Sequence, residues 1–133
     1  KTYIDDYAHH PAELDACIKS VKKLFPGRKI TGVFQPHLFS RTRDFANEFA
    51  ATLDTLDVPV LLEIYPAREL PIDGISSSYL LSLMKNENKR LMNKENLPEE
   101  IVSNELEVLL TLGAGDIGRC VEPIRKKLEA TFC

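Results

Sequence analysis

The stretch Asp5-Asp6-Tyr7-Ala8-His9-His10-Pro11 crowds five ionisable or hydrogen-bonding side chains into six residues, between an apolar start and a helix-like segment. Two acids, a phenol and two imidazoles are costly to hold together, because like charges repel and buried polar groups need partners. Such a set points to function rather than to a plain turn. The third histidine, His37, stands in a second polar cluster, Gln35-Pro36-His37-Leu38-Phe39-Ser40-Arg41-Thr42-Arg43. Arg41 and Arg43 read as the first turn of a helix, where the macrodipole disfavours cations. Two arginines there make sense if an anion visits, gripped by the guanidinium fork and the helix amides as a carboxylate or phosphate. The plainer alternative is surface pairing with Asp44 or Glu48.

Asp5, Asp6, His9, His10 and His37 also have the side-chain types of metal ligands. Adjacent residues rarely point the same way, so at most a subset could share one ion. No matching acids follow at other strand ends, and the expectation is no permanent metal. Of Asp5 and Asp6, one is expected to cap local amides and the other to face a ligand.

These residues need a scaffold that brings them together. Thr2 to Asp6 reads as a strand. Residues 12–25 carry Leu14, Cys17, Ile18, Val21, Leu24 and Phe25 at helical spacing, with Pro11 in the first turn and Pro26-Gly27 as the stop. Ile30 to Phe34 is a short apolar strand. Residues 41–53 read as one helix on Phe45, Ala46, Phe49 and Leu53, with Ser40 as N-cap. Val58 to Ile64 is a continuous apolar run, expected of a central parallel strand buried on both faces. Tyr65 to Ile75 is a loop and Ser76 to Met84 a helix. The polar segment from Lys85 to Asn96 holds one short strand around Arg90-Leu91-Met92 and is otherwise a solvated face. Leu97 to Leu106 is a short helix opened by Pro98, Glu107 to Leu112 a strand, and residues 117–129 a closing helix.

Strand and helix alternate throughout, which predicts a single α/β domain: a three-layer, Rossmann-like, mostly parallel sheet with helices on both faces. Ligands bind such sheets outside the carboxyl ends of the strands. Asp5–His10, Gln35–Arg43, Tyr65–Glu69 and Gly113–Gly118 all follow strands, so four loops are expected to converge on one edge.

Gly113-Ala114-Gly115-Asp116-Ile117-Gly118 has the G-x-G-x-x-G pattern, but a dinucleotide site needs a following strand and an acid about 20 residues on. The chain stops at Cys133, so the glycines read as a tight turn with close helix–strand packing. No G-x-S-x-G elbow or G-x-x-x-x-G-K-[ST] phosphate loop occurs.

The 133 residues are 44% hydrophobic and 28% charged with a formal net charge of −3, which disfavours a nucleic-acid-binding face. The apolar runs are too short to span a bilayer. Cys17, Cys120 and Cys133 form neither a disulfide framework nor a zinc pattern, and Cys17 and Cys120 read as small core residues of a reducing-compartment protein. The chain begins at Lys1 without Met, and is expected to be a domain of a longer protein.

Taken in order, Asp5 to Pro11, Phe34-Gln35-Pro36-His37 with Ser40-Arg41-Thr42, Ile64-Tyr65-Pro66-Ala67-Arg68-Glu69 with Pro71-Ile72, and Gly113-Ala114-Gly115-Asp116-Ile117 resemble the carboxy-terminal domain of the Mur ligases. Those enzymes add amino acids during bacterial peptidoglycan synthesis. Within the family the motifs are most similar to the branch that joins L-alanine to UDP-N-acetylmuramate. The resemblance implies a cytoplasmic, ATP-dependent amide ligase whose sugar-binding domain and ATP- and magnesium-binding domain are absent from this chain. Residues 1–133 would be the amino-acid-binding lid that contacts the nucleotide and is inactive alone. ATP would activate the muramyl carboxylate as an acyl phosphate, which the alanine amine attacks. By position, His9 and Arg41 would face the alanine, Arg41 on its carboxylate, with His37 supporting the pocket. Asp6 and Tyr7 would lie near ATP. The family commonly has Gly at the place of Ala8 and Arg at that of Leu38, which leaves Arg43 or Arg68 to supply a second carboxylate contact.

The residues alone also allow a free-standing metal-dependent phosphoesterase built on Asp6, His9 and His37, or a small-carboxylate binding module.

Overall fold

Five strands pair in parallel in the order β1-β5-β2-β3-β4: β1 (Thr2–Asp6), β2 (Ile30–Phe34), β3 (Val58–Leu61), β4 (Arg90–Leu91) and β5 (Val108–Leu112). The computed structural model describes residues 1–132, and Cys133 lies outside the described residues. The pairing puts Asp6, Leu112, Phe34, Leu61 and Leu91 in one row across the sheet. The strands therefore end level, and the segments that follow them leave from a single edge, as the strand pattern predicts.

Alternate residues of each strand point to opposite faces, and each face has its own apolar core. Phe34, Leu61 and Leu110 meet Leu14 and Ile18 of α1 (Pro11–Leu24), Phe49 and Leu53 of α3 (Ala46–Leu53), and Leu80 of α4 (Ser77–Leu83). Val33, Val60 and Leu109 meet Leu97 and Ile101 of α5 (Leu97–Ile101) and Ile124 of α6 (Val121–Phe132). The expected three layers are present. β5 leads through a 3-10 helix (Asp116–Cys120) into α6 on the face that also carries α5, while its neighbours in the sheet, β1 and β2, lead into helices on the other face. The carboxyl ends of β1, β5 and β2 thus form the crevice where doubly wound sheets bind ligands.

Several elements differ from expectation. The run from Val58 is an interior parallel strand buried on both faces, as expected, but it closes at Leu61 and stands fourth in the order, between β2 and β4. Pro59 is accommodated in it. Leu61 accepts from the Met92 amide on the β4 side (2.9 Å), and Pro59, two residues earlier, faces the same side. There β4 has not yet begun, so no donor is missed. The single helix over 41–53 is two helices, α2 (Phe39–Asp44) and α3, broken at Phe45 (φ −119°, ψ 21°), whose ring lies 4.8 Å from that of His10. Ser40 is not the N-cap; it lies inside α2, after Leu38 in the cap position. The helix from Leu97 closes at Ile101, and the closing helix starts at Val121, after the 3-10 turn. Cys120 is buried as expected, whereas Cys17 is only half-buried.

Phe49 is fully buried, with its ring 5.3 Å from that of Phe34. Phe49→Ala is expected to lower the stability of the chain by about 3–5 kcal/mol, read as a lower urea midpoint at unchanged m value.

Candidate functional site

The β1–α1 loop is built around two acids with different tasks. Thr111 Oγ donates to Asp5 Oδ1 (2.7 Å) and is paired with the Tyr3 hydroxyl (2.8 Å), which must then be the donor. Burial is the main reason the Tyr3 phenol is pushed up to about 12. Asp6 Oδ1 accepts from the Ala8 amide (2.9 Å), an Asx turn that aims the following residues across the edge. Ala8 is buried and is not among the residues with positive φ, so it needs no glycine there. His10 caps α1, and its amide donates to Glu13 Oε1 (3.0 Å) in a capping box that frees the loop from the helix.

Four rings follow one another over the edge. Tyr7 and His9 are 5.4 Å apart, His9 and His37 5.9 Å, and His37 and Tyr65 5.6 Å and nearly parallel. His9 Nδ1 lies 3.0 Å from the Tyr7 carbonyl oxygen. A carbonyl only accepts, so Nδ1 carries the proton, and in the neutral ring Nε2 presents a lone pair. His37 is the reverse. Arg41 Nη1 donates to His37 Nδ1 (3.2 Å), and a guanidinium cannot accept, so His37 is neutral with its proton on Nε2. Burial, then the Arg41 charge, then His9 hold His37 below the ordinary histidine range.

The β2, β3 and β5 loops are stitched together by one buried amide. Gln35, 3% exposed, donates from Nε2 to Asp116 Oδ1 (2.6 Å) and the Glu63 carbonyl (3.4 Å), and accepts from the Ile117 amide at Oε1 (2.8 Å). Such an approach needs glycine: a Cβ on Gly115 would stand 2.6 Å from both Gln35 Oε1 and Tyr65 Cβ. Gly113 has φ 144°, where other residues are strained. The tight-turn reading of these glycines holds. Asp116 also pairs with Lys94, and although burial raises its pKa, the bonds from Lys94 and Gln35 outweigh this and leave it lowered. Lys94 came from the polar segment read as a solvated face. A cavity of about 370 Å³ lies beside this junction, lined in part by Gln35, Tyr65, Lys94 and Asp116.

The structure thus brings Tyr7, His9, His37 and Arg41 together, with Asp6 behind them. It does not bring Arg43, which is exposed and pairs with Asp44 (2.9 Å), the plainer alternative for that residue. The helix argument for the arginines is corrected as well. The six-residue α2 is too short to separate its ends: Arg41 is its third residue and Arg43 its fifth, and both fall in its last turn, so the macrodipole makes no case for a visiting anion. The first-turn amides already hold an anion, the carboxylate of Glu69, which accepts from the Ser40 amide (3.1 Å) and the Ser40 hydroxyl. Among the described residues no three His, Cys, Asp or Glu side chains are grouped to hold a metal ion.

Comparison with known proteins bears on what this edge serves. The family model described as "Mur ligase, glutamate ligase domain" matches residues 1–115. The chain belongs to the Mur ligase family. Its curated relatives include UDP-N-acetylmuramate–L-alanine ligases of Cytophaga hutchinsonii, 53% identical over 98% of the chain, and Christiangramia forsetii, 56% identical over 94%. The chain spans 28% of the length of each. Among solved structures, the UDP-N-acetylmuramate–alanine ligase of Thermotoga maritima superposes with a TM-score of 0.72 at 28% identity, covering 97% of this chain and 27% of that one. A murein peptide ligase of Psychrobacter arcticus, 12% identical over 98% of this chain and 28% of its own, shares the fold at a TM-score of 0.72. The Mur ligase fold read from the motifs is the one observed. No helix among the described residues is long and apolar enough to cross a membrane.

Because His37 favours its neutral form in the folded state, the unfolded chain binds more protons in the window between the lowered folded value and about 6.5. The His37 contribution to stability is therefore complete above about pH 6.5 and is lost as pH falls through the folded value. NMR titration of the ring should give a midpoint below about 6.5, and Arg41→Ala should raise it by removing the neighbouring charge.

Proposed function

We propose that residues 1–133 are the carboxy-terminal, amino-acid-binding domain of a cytoplasmic bacterial ligase that joins L-alanine to UDP-N-acetylmuramate at the expense of ATP. The sugar-binding and ATP-binding domains belong to the rest of that ligase. The observation that carries the reading is the Arg41–His37 pair: one guanidinium arm is spent on a neutral imidazole, and the rest of the fork is left for a carboxylate.

Arg41 binds the alanine carboxylate. His9, with a lone pair on Nε2 and Nδ1 anchored on the Tyr7 carbonyl, holds the amino group and accepts its proton as the amine attacks. His37 orients Arg41 and lends its Nε2–H to the same pocket. Asp6 and Tyr7 face the nucleotide; Tyr7, 70% exposed, is free to lie against a flat ring. Arg43 and Arg68 are both exposed, and Arg43 would have to leave Asp44 to add a second carboxylate contact. ATP supplies the phosphoryl group that activates the muramyl carboxylate. Among the described residues no three His, Cys, Asp or Glu side chains are grouped, and we assign the magnesium ligands to the ATP-binding domain. What this domain contributes is alignment of the amine and exclusion of water from the activated carboxylate. The family and the names of the relatives give no support to a free-standing phosphoesterase or binding module.

In the complete ligase, Arg41→Ala should raise KM for alanine about tenfold or more, the loss of a charge-assisted bond of ~1.5–3 kcal/mol, with KM for ATP within about twofold. Equal effects on both constants would overturn the carboxylate assignment. The isolated chain should form no amide from alanine, ATP and the UDP-sugar; product in a coupled ADP assay would overturn the domain reading.

A further inference from the structure

Helix α2 starts without a cap of its own. Its cap position is Leu38, whose side chain can accept no hydrogen bond and whose backbone (φ 74°, ψ 136°) is one that L residues rarely adopt. The Ser40 amide of the first turn is satisfied from another loop instead. Glu69, eight residues past β3, accepts from the Ser40 amide with one carboxylate oxygen (3.1 Å) and from the Ser40 hydroxyl with the other.

The two segments are locked together along their length. Tyr65 donates its amide to the Pro36 carbonyl (2.8 Å), Leu38 donates to the Tyr65 carbonyl (2.8 Å), and His37 and Tyr65 form a parallel bridge with stacked rings. Beyond the kink, the Leu38 carbonyl accepts from both the amide (3.2 Å) and the hydroxyl (2.8 Å) of Thr42. Glu69 is the last of these ties and the one that fixes the helix start, one residue before Arg41.

We propose that Glu69 is a positioning residue for amino-acid recognition: its carboxylate, bonded twice to Ser40, holds the start of α2 so that Arg41 reaches both His37 and the amino acid. The inference rests on the reading of Arg41 as the carboxylate ligand. The geometry also explains why an acid so near two arginines does not quench them. Both Glu69 oxygens are engaged by Ser40, and Arg43 is engaged by Asp44, so the Arg41 fork stays open. An acceptor is required because a donor at this place would face the helix amides rather than accept from them, and a carboxylate supplies two acceptor oxygens. The residue stands outside both apolar cores, so its loss removes a tie at the edge and no core packing.

The test is a double-mutant cycle in the complete ligase. Glu69→Ala is expected to raise KM for alanine roughly tenfold through misplacement of Arg41, with kcat and KM for ATP within about twofold. Glu69→Gln, which keeps an acceptor for the Ser40 amide, should fall between. The double variant Glu69→Ala/Arg41→Ala should match Arg41→Ala alone, because both remove one contact. A Glu69→Ala enzyme with unchanged KM for alanine, beside an impaired Arg41→Ala enzyme, overturns this role and leaves the Arg41 reading standing. Multiplying effects, or an effect of Glu69→Ala where Arg41→Ala has none, mean that Glu69 does not act through Arg41. If neither single variant changes KM for alanine, both readings fall. A parallel rise in KM for ATP overturns the positioning role in favour of a general structural one.

Discussion

The edge that carries the candidate site depends on strand register. Because Asp6, Leu112, Phe34 and Leu61 are paired in one row, the residues after them leave the sheet at one level and within reach of one another. A slip of one residue in β2 would carry Gln35 and His37 away from their partners and turn Phe34 out of its core. The two apolar layers enforce that register: Phe34 and Val33 are adjacent in sequence and fully buried on opposite faces. The hydrophobic interior thus does more than hold the fold together. It sets the height at which the polar loops begin.

On that level base the loops are joined by a few polar groups, each using nearly all of its bonding capacity. Gln35 bridges the ends of β2, β3 and β5 and is satisfied on both sides of its amide. A buried amide left half-bonded would cost about 1–3 kcal/mol, so the fit of Gly115 against it is a condition of the fold and not an accident of loop shape. Leu38 shows the same economy. Its backbone strain, of order 1–3 kcal/mol, is tolerated because bonds on both sides of it hold the segment in place. Strain of this kind, between His37 and Arg41, fits a site whose geometry is prepared before a ligand arrives.

Electrostatics in this edge is a matter of keeping one cation available. Arg41 meets a neutral histidine instead of a carboxylate, while the nearby acids have other engagements: Asp6 with the Ala8 amide, Glu69 with Ser40, Asp44 with Arg43 and Asp116 with Lys94. Hydrogen bonds from Ser40, foremost that of its hydroxyl, hold Glu69 ionised below the usual carboxylate range. An open guanidinium beside imidazoles of opposite tautomer offers positive charge, an acceptor and a donor within one crevice, which suits the amino-acid-binding role proposed for it.

Much of this was legible in the chain itself. The alternation of apolar strands with amphipathic helices, a property of local periodicity, determined the three-layer fold, and motifs at strand ends determined the family and singled out His9, His37 and Arg41. The sequence also held a clue of another kind: Pro59 could not suit a strand with donors required on both sides, and it stands at a level where β4 has not yet begun. What only the tertiary structure decided were the partners across loops. Ser40 reads locally as a helix cap, yet the cap is Glu69, 29 residues on, and Arg43 turns to Asp44 while Arg41 turns to His37. Lys94 reads as solvated charge until the fold sets it beside Asp116. Periodicity is a property of neighbours in the chain and survives in one dimension. Which carboxylate meets which amide depends on distances between segments, and those exist only once the sheet has fixed the height and direction of each loop.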